Sequence, residues 1–182
     1  MSAKIFFKQA LTELNKELFS PLNLRIDFLK CYPEWVPLIA EWEYANWHCY
    51  DDSLTKEKLI NGFAERLHDD KLPLTLLLFK AVQPIGLISL EDQTEPELAD
   101  LEDGNPWGGS FHIIPEERGK KLAETAAKAL TILAKRLGHQ KIWFYTSNPR
   151  NVKWYTRQGA HTVTTRPFRG HEITVMKYDL CI

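Results

Sequence analysis

At Pro115 the hydrophobic period of this chain changes abruptly. Ser110 to Ile114 is a short apolar run with strand character. From Glu116 onward apolar side chains recur at Leu122, Ala126, Leu130, Leu133 and Leu137, the spacing of one helical face, until Gly138 stops the pattern. A strand that runs straight into a helix of this length demands layered packing, because the helix must lay its apolar stripe on the sheet that holds the strand. The connecting segment, Pro115-Glu116-Glu117-Arg118-Gly119-Lys120-Lys121, sets a glycine and three cations at the start of the helix. Backbone N–H groups there lack helical partners and the helix end carries roughly +0.5 charge, so the same feature predicts a phosphate cradle. It is neither G-x-x-x-x-G-K-[ST] nor G-x-G-x-x-G. Taken alone, an ordinary basic turn capped by glycine is the plainer reading.

Elsewhere the pattern alternates between the two periods. Ile5, Phe6, Ala10, Leu11, Leu14 and Leu18 form a helical stripe that Pro21 ends, and Leu24, Ile26 and Phe28 alternate as a half-buried strand. Pro33 to Trp47 and Ser53 to Leu67 read as helices. Leu74 to Val82 and Ile85 to Leu90 read as a hairpin linked at Gln83-Pro84. Glu91 to Asp103 holds seven acids without Lys or Arg and reads as a surface loop. Lys141 to Tyr145 is a further strand and Pro149 to Arg157 a short helix. Ala160 to Thr165 and Glu172 to Tyr178 pair around Arg169-Gly170. About seven strands and four or five helices in mixed order predict an α+β or α/β layered domain.

Composition bounds the function. With 182 residues, one core is expected, and 44% hydrophobic with 26% charged residues excludes a disordered or low-complexity chain. No apolar run approaches the roughly 18 residues of a membrane span, and the N-terminus lacks a secretory pattern. Cys31, Cys49 and Cys181 are widely spaced without C-x-x-C, which predicts a reducing, cytoplasmic setting and no zinc knuckle. The net charge of −1 gives no global basic field for nucleic acid. Its distribution is uneven, however. Up to Ile114 there are 10 Lys and Arg against 19 Asp and Glu, and from Pro115 onward 13 against 5. Chance placement of solvated charges and a site that binds an anion on one side and a cation on the other are the two readings of that asymmetry.

A second constellation follows the long helix. Asn148 lies just past a strand, Tyr155 stands seven residues on, and Gly159 follows. A phenol of pKa about 10 is protonated at neutral pH and can give its proton to a leaving thiolate whose conjugate acid has pKa about 8.5. A turn asparagine and a core tyrosine are the plainer reading of the pair. Together, in order and spacing, the apolar strand, proline, Arg118-Gly119-Lys120, helix, strand, Asn148, Tyr155 and Gly159 resemble the GNAT superfamily of acyl-CoA-dependent N-acyltransferases. The resemblance extends over roughly Asn23 to Leu180. Pro33-Glu34-Trp35, Leu72-Pro73-Leu74-Thr75 and Pro106-Trp107 are similar to a bacterial subgroup of that family.

The resemblance implies an α+β (mixed α/β) fold: a central mixed, mostly antiparallel sheet of six to seven strands with helices on both faces. Residues 1–182 would form one domain, with 1–20 an added N-terminal helix. The implied activity is transfer of acetyl from acetyl-CoA to a primary amine in a ternary complex, without a metal or a covalent enzyme intermediate. Backbone groups around His112 and Ile113 would bond the pantetheine arm, and Arg118, Gly119, Lys120, Lys121, Leu122 and Ala123 the pyrophosphate. Asn148 would hold the arm, and Tyr155 would protonate the CoA thiolate. Two positions depart from the family pattern Q/R-x-x-G-x-G/A, with Glu116 at the first and Lys121 where a second glycine is usual.

An ammonium acceptor must lose a proton before it attacks. Glu91 and Asp92, and His112 with an ordinary pKa of about 6.5, are the candidate bases, although His112 also reads as a satisfied strand histidine. The acidic loop favours a cationic acceptor, whether a small molecule or a peptide, and pairing through edge strands leaves a homodimer open. Lys121 and the lack of a marked base make a non-catalytic acyl-CoA-binding or regulatory module the competing function. Trp35, Trp42 and Trp47 are expected in the core or as groove wall. Arg166, Arg169 and His171 are expected on the last hairpin.

Overall fold

Strands β1 (Leu24–Phe28), β2 (Leu74–Lys80), β3 (Gln83–Glu91), β4 (Trp107–Ile113), β5 (Lys141–Thr146), β6 (His161–Phe168) and β7 (His171–Asp179) build one sheet in the order β1-β2-β3-β4-β5-β7-β6. The computed structural model describes residues 3–92, 95–101 and 103–180, with side chains from residue 7 onward. Cys181, Glu102 and the side chains of Ile5 and Phe6, all used in the sequence reading, lie outside the described residues. Every neighbouring pair of strands is antiparallel except β4 and β5, which are parallel. The sheet is therefore the mixed, mostly antiparallel one expected.

Helices cover both faces. On one, α1 (Ala3–Leu14) and α4 (Leu122–Arg136) bury Phe7, Leu11, Leu14, Leu122, Ala126 and Leu133 against Ile26, Leu76, Leu78 and Ile88 of the sheet. The short α5 (Pro149–Arg157) packs beside them on Phe144 and Met176. On the other face, α2 (Val36–Trp47) and α3 (Lys56–Ala64) cover Leu77, Phe79 and Leu87. β2 and β3 are buried on both sides, which explains their nearly unbroken apolar sequence. Among the described residues no helix is long and apolar enough to cross a membrane.

Several boundaries differ from the sequence reading, each for a local reason. The N-terminal helix stops at Leu14 and continues as a π turn over Asn15–Phe19 and a 3-10 turn over Ser20–Leu22. Asn15 leaves the helical pattern because its side chain acts as a substitute strand. Its Nδ2 donates to the Ile26 carbonyl at 2.7 Å and its Oδ1 accepts from the Ile26 N–H at 2.8 Å, which satisfies the outer edge of β1. This segment also helps to close the main core, where Leu14 and Phe19 have no exposed surface.

The hairpin turns at Ala81-Val82, with Ala81 at φ +53°, and not at Gln83-Pro84. Pro84 is accommodated within β3 because the register shifts between Leu78 and Phe79, a bulge at which a missing N–H is tolerated. The long helix begins at Leu122, six residues later than its period suggested. Pro115–Glu117 is a 3-10 turn, and Gly119 and Lys121 adopt left-handed φ of +76° and +59°, which no α-helix can include.

β3 and β4 approach so closely that Gly86 has no room for a side chain. A Cβ there would lie 2.5 Å from the His112 carbonyl oxygen and 2.8 Å from Ile113 Cδ1. Gly86→Ala should therefore destabilise the protein by about 1–3 kcal/mol, read as a lower urea midpoint at unchanged slope. A wild-type midpoint would show that the two strands have slack.

Candidate active site

Although β4 and β5 are neighbours, they share a single ladder pair, Trp107 with Trp143, reinforced by the Trp143 N–H on the Pro106 carbonyl at 2.9 Å. Asp103 fixes this junction. It accepts from Trp143 Nε1 at 3.0 Å and pairs with Lys141 Nζ at 2.7 Å. Burial alone would raise its carboxyl, but the hydrogen bonds from Lys141, Trp143 and Asn105 outweigh that and hold it down to about 2.

Beyond the junction the strands part, because β4 is bulged. Leu87 pairs with His112 and Ser89 with Gly109, so Ser110 and Phe111 together oppose Ile88, and Ser110 takes φ +45°. The Ile114 N–H bonds the Ile85 carbonyl at 3.0 Å. By the alternation of an antiparallel ladder, the backbone of Ile113 then faces the gap. A cavity of about 120 Å3 occupies the gap, walled by Gly108 to Phe111 on one side and Phe144 to Thr146 on the other.

At the far end of β4 a second cavity, of about 210 Å3, lies in the turn before α4. Ile113, Arg118, Gly119, Lys121, Leu122 and Ala123 line it, together with Trp154 of α5. The first bond of the helix runs from the Thr125 N–H to the Lys121 carbonyl at 3.1 Å, so the N–H groups at the helix start precede any intrahelical partner. The predicted cations differ in what they do. Arg118 Nε donates to the Ile113 carbonyl at 2.8 Å, and Lys120 is held by Glu117 at 3.0 Å. Lys121 is exposed and makes no ion pair among the described residues.

Helix α5 closes the gap from below. Asn148 is its N-cap and accepts from the Arg150 N–H at 2.9 Å, which starts the helix directly after β5. Asn151 and Tyr155, one turn apart, both line the inter-strand cavity, and Asn151 Nδ2 lies 3.4 Å from Thr146 Oγ1. Tyr155 packs on Phe144 at 4.2 Å between ring centroids, and burial pushes its phenol up to about 12. Tyr155 and Asn151 thus line the inter-strand cavity, while Trp154, the neighbour of Tyr155 on α5, lines the second cavity with the Arg118–Ala123 turn; Asn148 lines neither. The helical spacing from Asn148 and Tyr155 could have marked Asn151.

A sequence model of the acetyltransferase (GNAT) family matches residues 28–160. This chain belongs to that family. Solved structures agree on the fold. The Vibrio cholerae spermidine N-acetyltransferase in complex with CoA and spermine superposes with a TM-score of 0.66 at 16% identity, over 87% of this chain and 96% of its own. An N-acetyltransferase from Staphylococcus aureus gives 0.65 at 14% identity, over 87% and 99%. The Salmonella typhimurium protein yncA, with its cofactor acetyl-CoA, gives 0.63 at 14%, over 87% and 95%. No curated protein sequence matches the chain.

The groove of this GNAT protein suits acetyl-CoA on its own observations. An unpaired strand edge offers N–H and C=O groups to an extended arm with amides, and the N–H-rich turn offers a seat for phosphate. Lys121 is compatible with this because it adopts the left-handed conformation that a glycine would take there, at a conformational cost. Among the described residues no group of three or more His, Cys, Asp or Glu could hold a metal.

Three other residues bear on acid–base chemistry. His112 points to the α2 face, where Asn46 Nδ2 donates to its Nδ1 at 2.9 Å and Trp42 stacks on it at 5.0 Å. Burial first, and Arg118 second, lower its pKa to about 4, so it is neutral and lies outside the residues that line the cavity. Glu91 binds Arg66 at 2.5 Å. Its pKa is raised, because burial outweighs that pairing. Glu43 is a buried acid that the sequence reading did not single out. It is 5% exposed, beside the Ser110 hydroxyl and the Trp47 indole, and burial raises it to about 7. Its position was legible: Val36, Ile39 and Ala40 define the buried stripe of α2, and Glu43 is its next member.

Lys121→Gly should remove the left-handed strain and raise stability by about 1 kcal/mol, a rise in Tm of about 2–4 °C. An unchanged Tm would show that the turn carries no strain at Lys121.

Proposed function

We propose that this GNAT protein transfers acetyl from acetyl-CoA to a primary amine by direct attack in a ternary complex, with Tyr155 as the acid that protonates the departing thiolate. One observation carries the reading. Tyr155 lies in the gap between β4 and β5 while the open turn at Arg118–Ala123 lies at the end of the same gap, so an extended thioester anchored at the turn would run toward the phenol. Acetyl-CoA supplies an activated acyl group with a thiolate leaving group. The chain's own contribution is placement, charge and proton transfer.

The backbone of β4 that faces the gap would bind the arm as an added strand. The N–H groups of Gly119 to Ala123, with Lys121 beside them, would bind the pyrophosphate. Asn148 and Asn151 would bound the arm on the α5 side. With its pKa raised, the Tyr155 phenol is fully protonated at neutral pH, which suits a donor and rules it out as a base.

Above the gap, on the α2 face, the acceptor would meet Trp47 and Tyr145, with the Glu43 carboxyl buried behind them. Aromatic faces and a carboxylate favour a cationic amine. The acidic loop contributes less than its sequence suggested, since Arg169 binds Glu95 at 2.6 Å and Glu97 at 3.1 Å, and Arg166 binds Asp100 at 2.7 Å. The complex of the Vibrio cholerae enzyme with spermine supports including polyamines among the acceptors tested.

Saturating acetyl-CoA should raise Tm by about 5–11 °C, the effect of a ligand at about 100 times its Kd, and ATP should not. No shift at millimolar acetyl-CoA would overturn the reading. Tyr155→Phe should lower kcat about 10²-fold or more with acetyl-CoA affinity unchanged by calorimetry. Wild-type turnover in that variant would remove Tyr155 from the mechanism.

A further inference from the structure

Building on the acetyltransferase reading, we infer that Glu43 is the proton acceptor for the amine, reached through the hydroxyl of Ser110. The acid sits where an apolar side chain belongs. Val36, Ile39 and Ala40 bury their side chains on β2 and β3, and Glu43 continues their stripe with 5% of its surface exposed. Burying a carboxylate is costly unless it is paired. Among the described residues Glu43 has no ion-pair partner and its Oε1 is fully buried without a hydrogen-bond partner; the hydrogen-bonding groups beside its carboxyl are the Ser110 hydroxyl and the Trp47 indole.

Those two neighbours are what connect it to the reaction. Ser110 and Trp47 both line the inter-strand cavity that also holds Tyr155. Ser110 is the bulged residue of β4, held at φ +45°, so its hydroxyl is aimed by a backbone conformation that L-residues rarely adopt. Strain of this kind persists where the surrounding structure enforces a particular orientation. The bulge that parts β4 from β5 therefore also bridges the gap to the buried acid.

The charges around Glu43 come from every element packed on it. Glu91 of β3 adds a second carboxylate, and Arg66, which follows α3, is already committed to Glu91. Tyr145 of β5 feels the Glu43 charge from across the gap. Two buried acids share one cation, so one of them is held close to its protonated form. Burial sets Glu43 at about 7, which lets it exchange a proton at neutral pH. Neither Glu91, bound by Arg66, nor His112, whose Nδ1 is taken by Asn46 under Trp42, offers an equivalent unpartnered atom.

The proton balance closes. One N–H bond of the ammonium breaks and its proton passes to the Ser110 oxygen, while the original Ser110 proton passes to the Glu43 carboxylate. The freed lone pair forms the N–C bond to the acetyl carbon. As the C–S bond breaks, the sulfur receives a proton from Tyr155, and the second proton leaving the nitrogen passes to solvent, which reprotonates the Tyr155 phenolate. Glu43 then returns its proton to solvent. Ser110 is regenerated in each turnover.

The test is kcat/KM against pH at saturating acetyl-CoA for wild type, Glu43→Gln and Ser110→Gly, with two acceptors. One is an alkylamine that is cationic at pH 7, and the other is an alkoxyamine that is neutral there. Glycine suits the positive φ of Ser110 and removes its CH2OH side chain. With the alkylamine, wild type should rise with pH through a limb near 7, Glu43→Gln should lose that limb with a fall of about 10²-fold or more, and Ser110→Gly should fall comparably. With the neutral acceptor, which needs no initial deprotonation, both deficits should shrink. Acetyl-CoA affinity should stay at the wild-type value in each. Should Glu43→Gln fail to fold, Glu43→Asp should keep the limb at a lower rate, and its loss there would count against the inference. A limb that persists in Glu43→Gln, equal deficits for both acceptors, or wild-type rates in Ser110→Gly would overturn it. Wild type that binds acetyl-CoA and acetylates neither amine would instead overturn the acetyltransferase reading beneath it.

Discussion

Two parallel strands that meet at only one residue pair leave their facing backbone edges without partners, and the site depends on how that vacancy is built. In water an unpaired strand edge costs little, but inside a sheet it must be answered by another chain or a ligand. The Trp107–Trp143 junction, clamped by Asp103, fixes where the separation starts. The bulge at Ser110 fixes how far it opens. Helix α5 then supplies one wall, α2 the other, and the left-handed turn before α4 ends the groove where backbone N–H groups converge.

The two walls have opposite proton chemistry. On the α5 side, burial raises a phenol and keeps it a donor, and on the α2 side, burial raises a carboxyl into the range where it accepts and releases protons at neutral pH. In the proposed reaction the same physical cause, removal of water from an ionisable group, prepares one residue as acid and the other as base. An acyl transfer to an amine requires both. The sheet between them keeps the two from neutralising each other.

Much of this was legible in the sequence. Helix α5 has the limits its pattern gave, and the β6–β7 turn falls at Arg169-Gly170. The strand-turn-helix at Pro115 announced the turn before α4 and the cavity beside it. What pattern could not give were features set by single backbone angles. The helix start at Leu122 follows from the left-handed Gly119 and Lys121, and the hairpin turn at Ala81 depends on a bulge that absorbs Pro84. Glu43 escaped because an acid in a helix reads as solvent-facing until its register with Val36, Ile39 and Ala40 is counted. The acidic loop read as a solvated or substrate-facing patch, whereas its partners, Arg166 and Arg169, are on β6 and the turn after it, some seventy residues away. Ion pairs at that separation leave no trace in local spacing.

Those distant pairs have a mechanical meaning. Strands β1 to β4 and strands β5 to β7 are each tightly laddered, but the two blocks are joined by one ladder pair. Across that weak seam, charged side chains hold the blocks together: Arg166 to Asp100, Arg169 to Asp51, Glu95 and Glu97, and Lys141 to Asp103. The uneven charge of the two halves of the chain is in this sense a fastening. Surface pairs of this kind are screened by salt, whereas ladders are not. The width of the groove, set by the bulge at Ser110, is thus braced at its rim by contacts that salt weakens, while the geometry along each wall is fixed by the sheet.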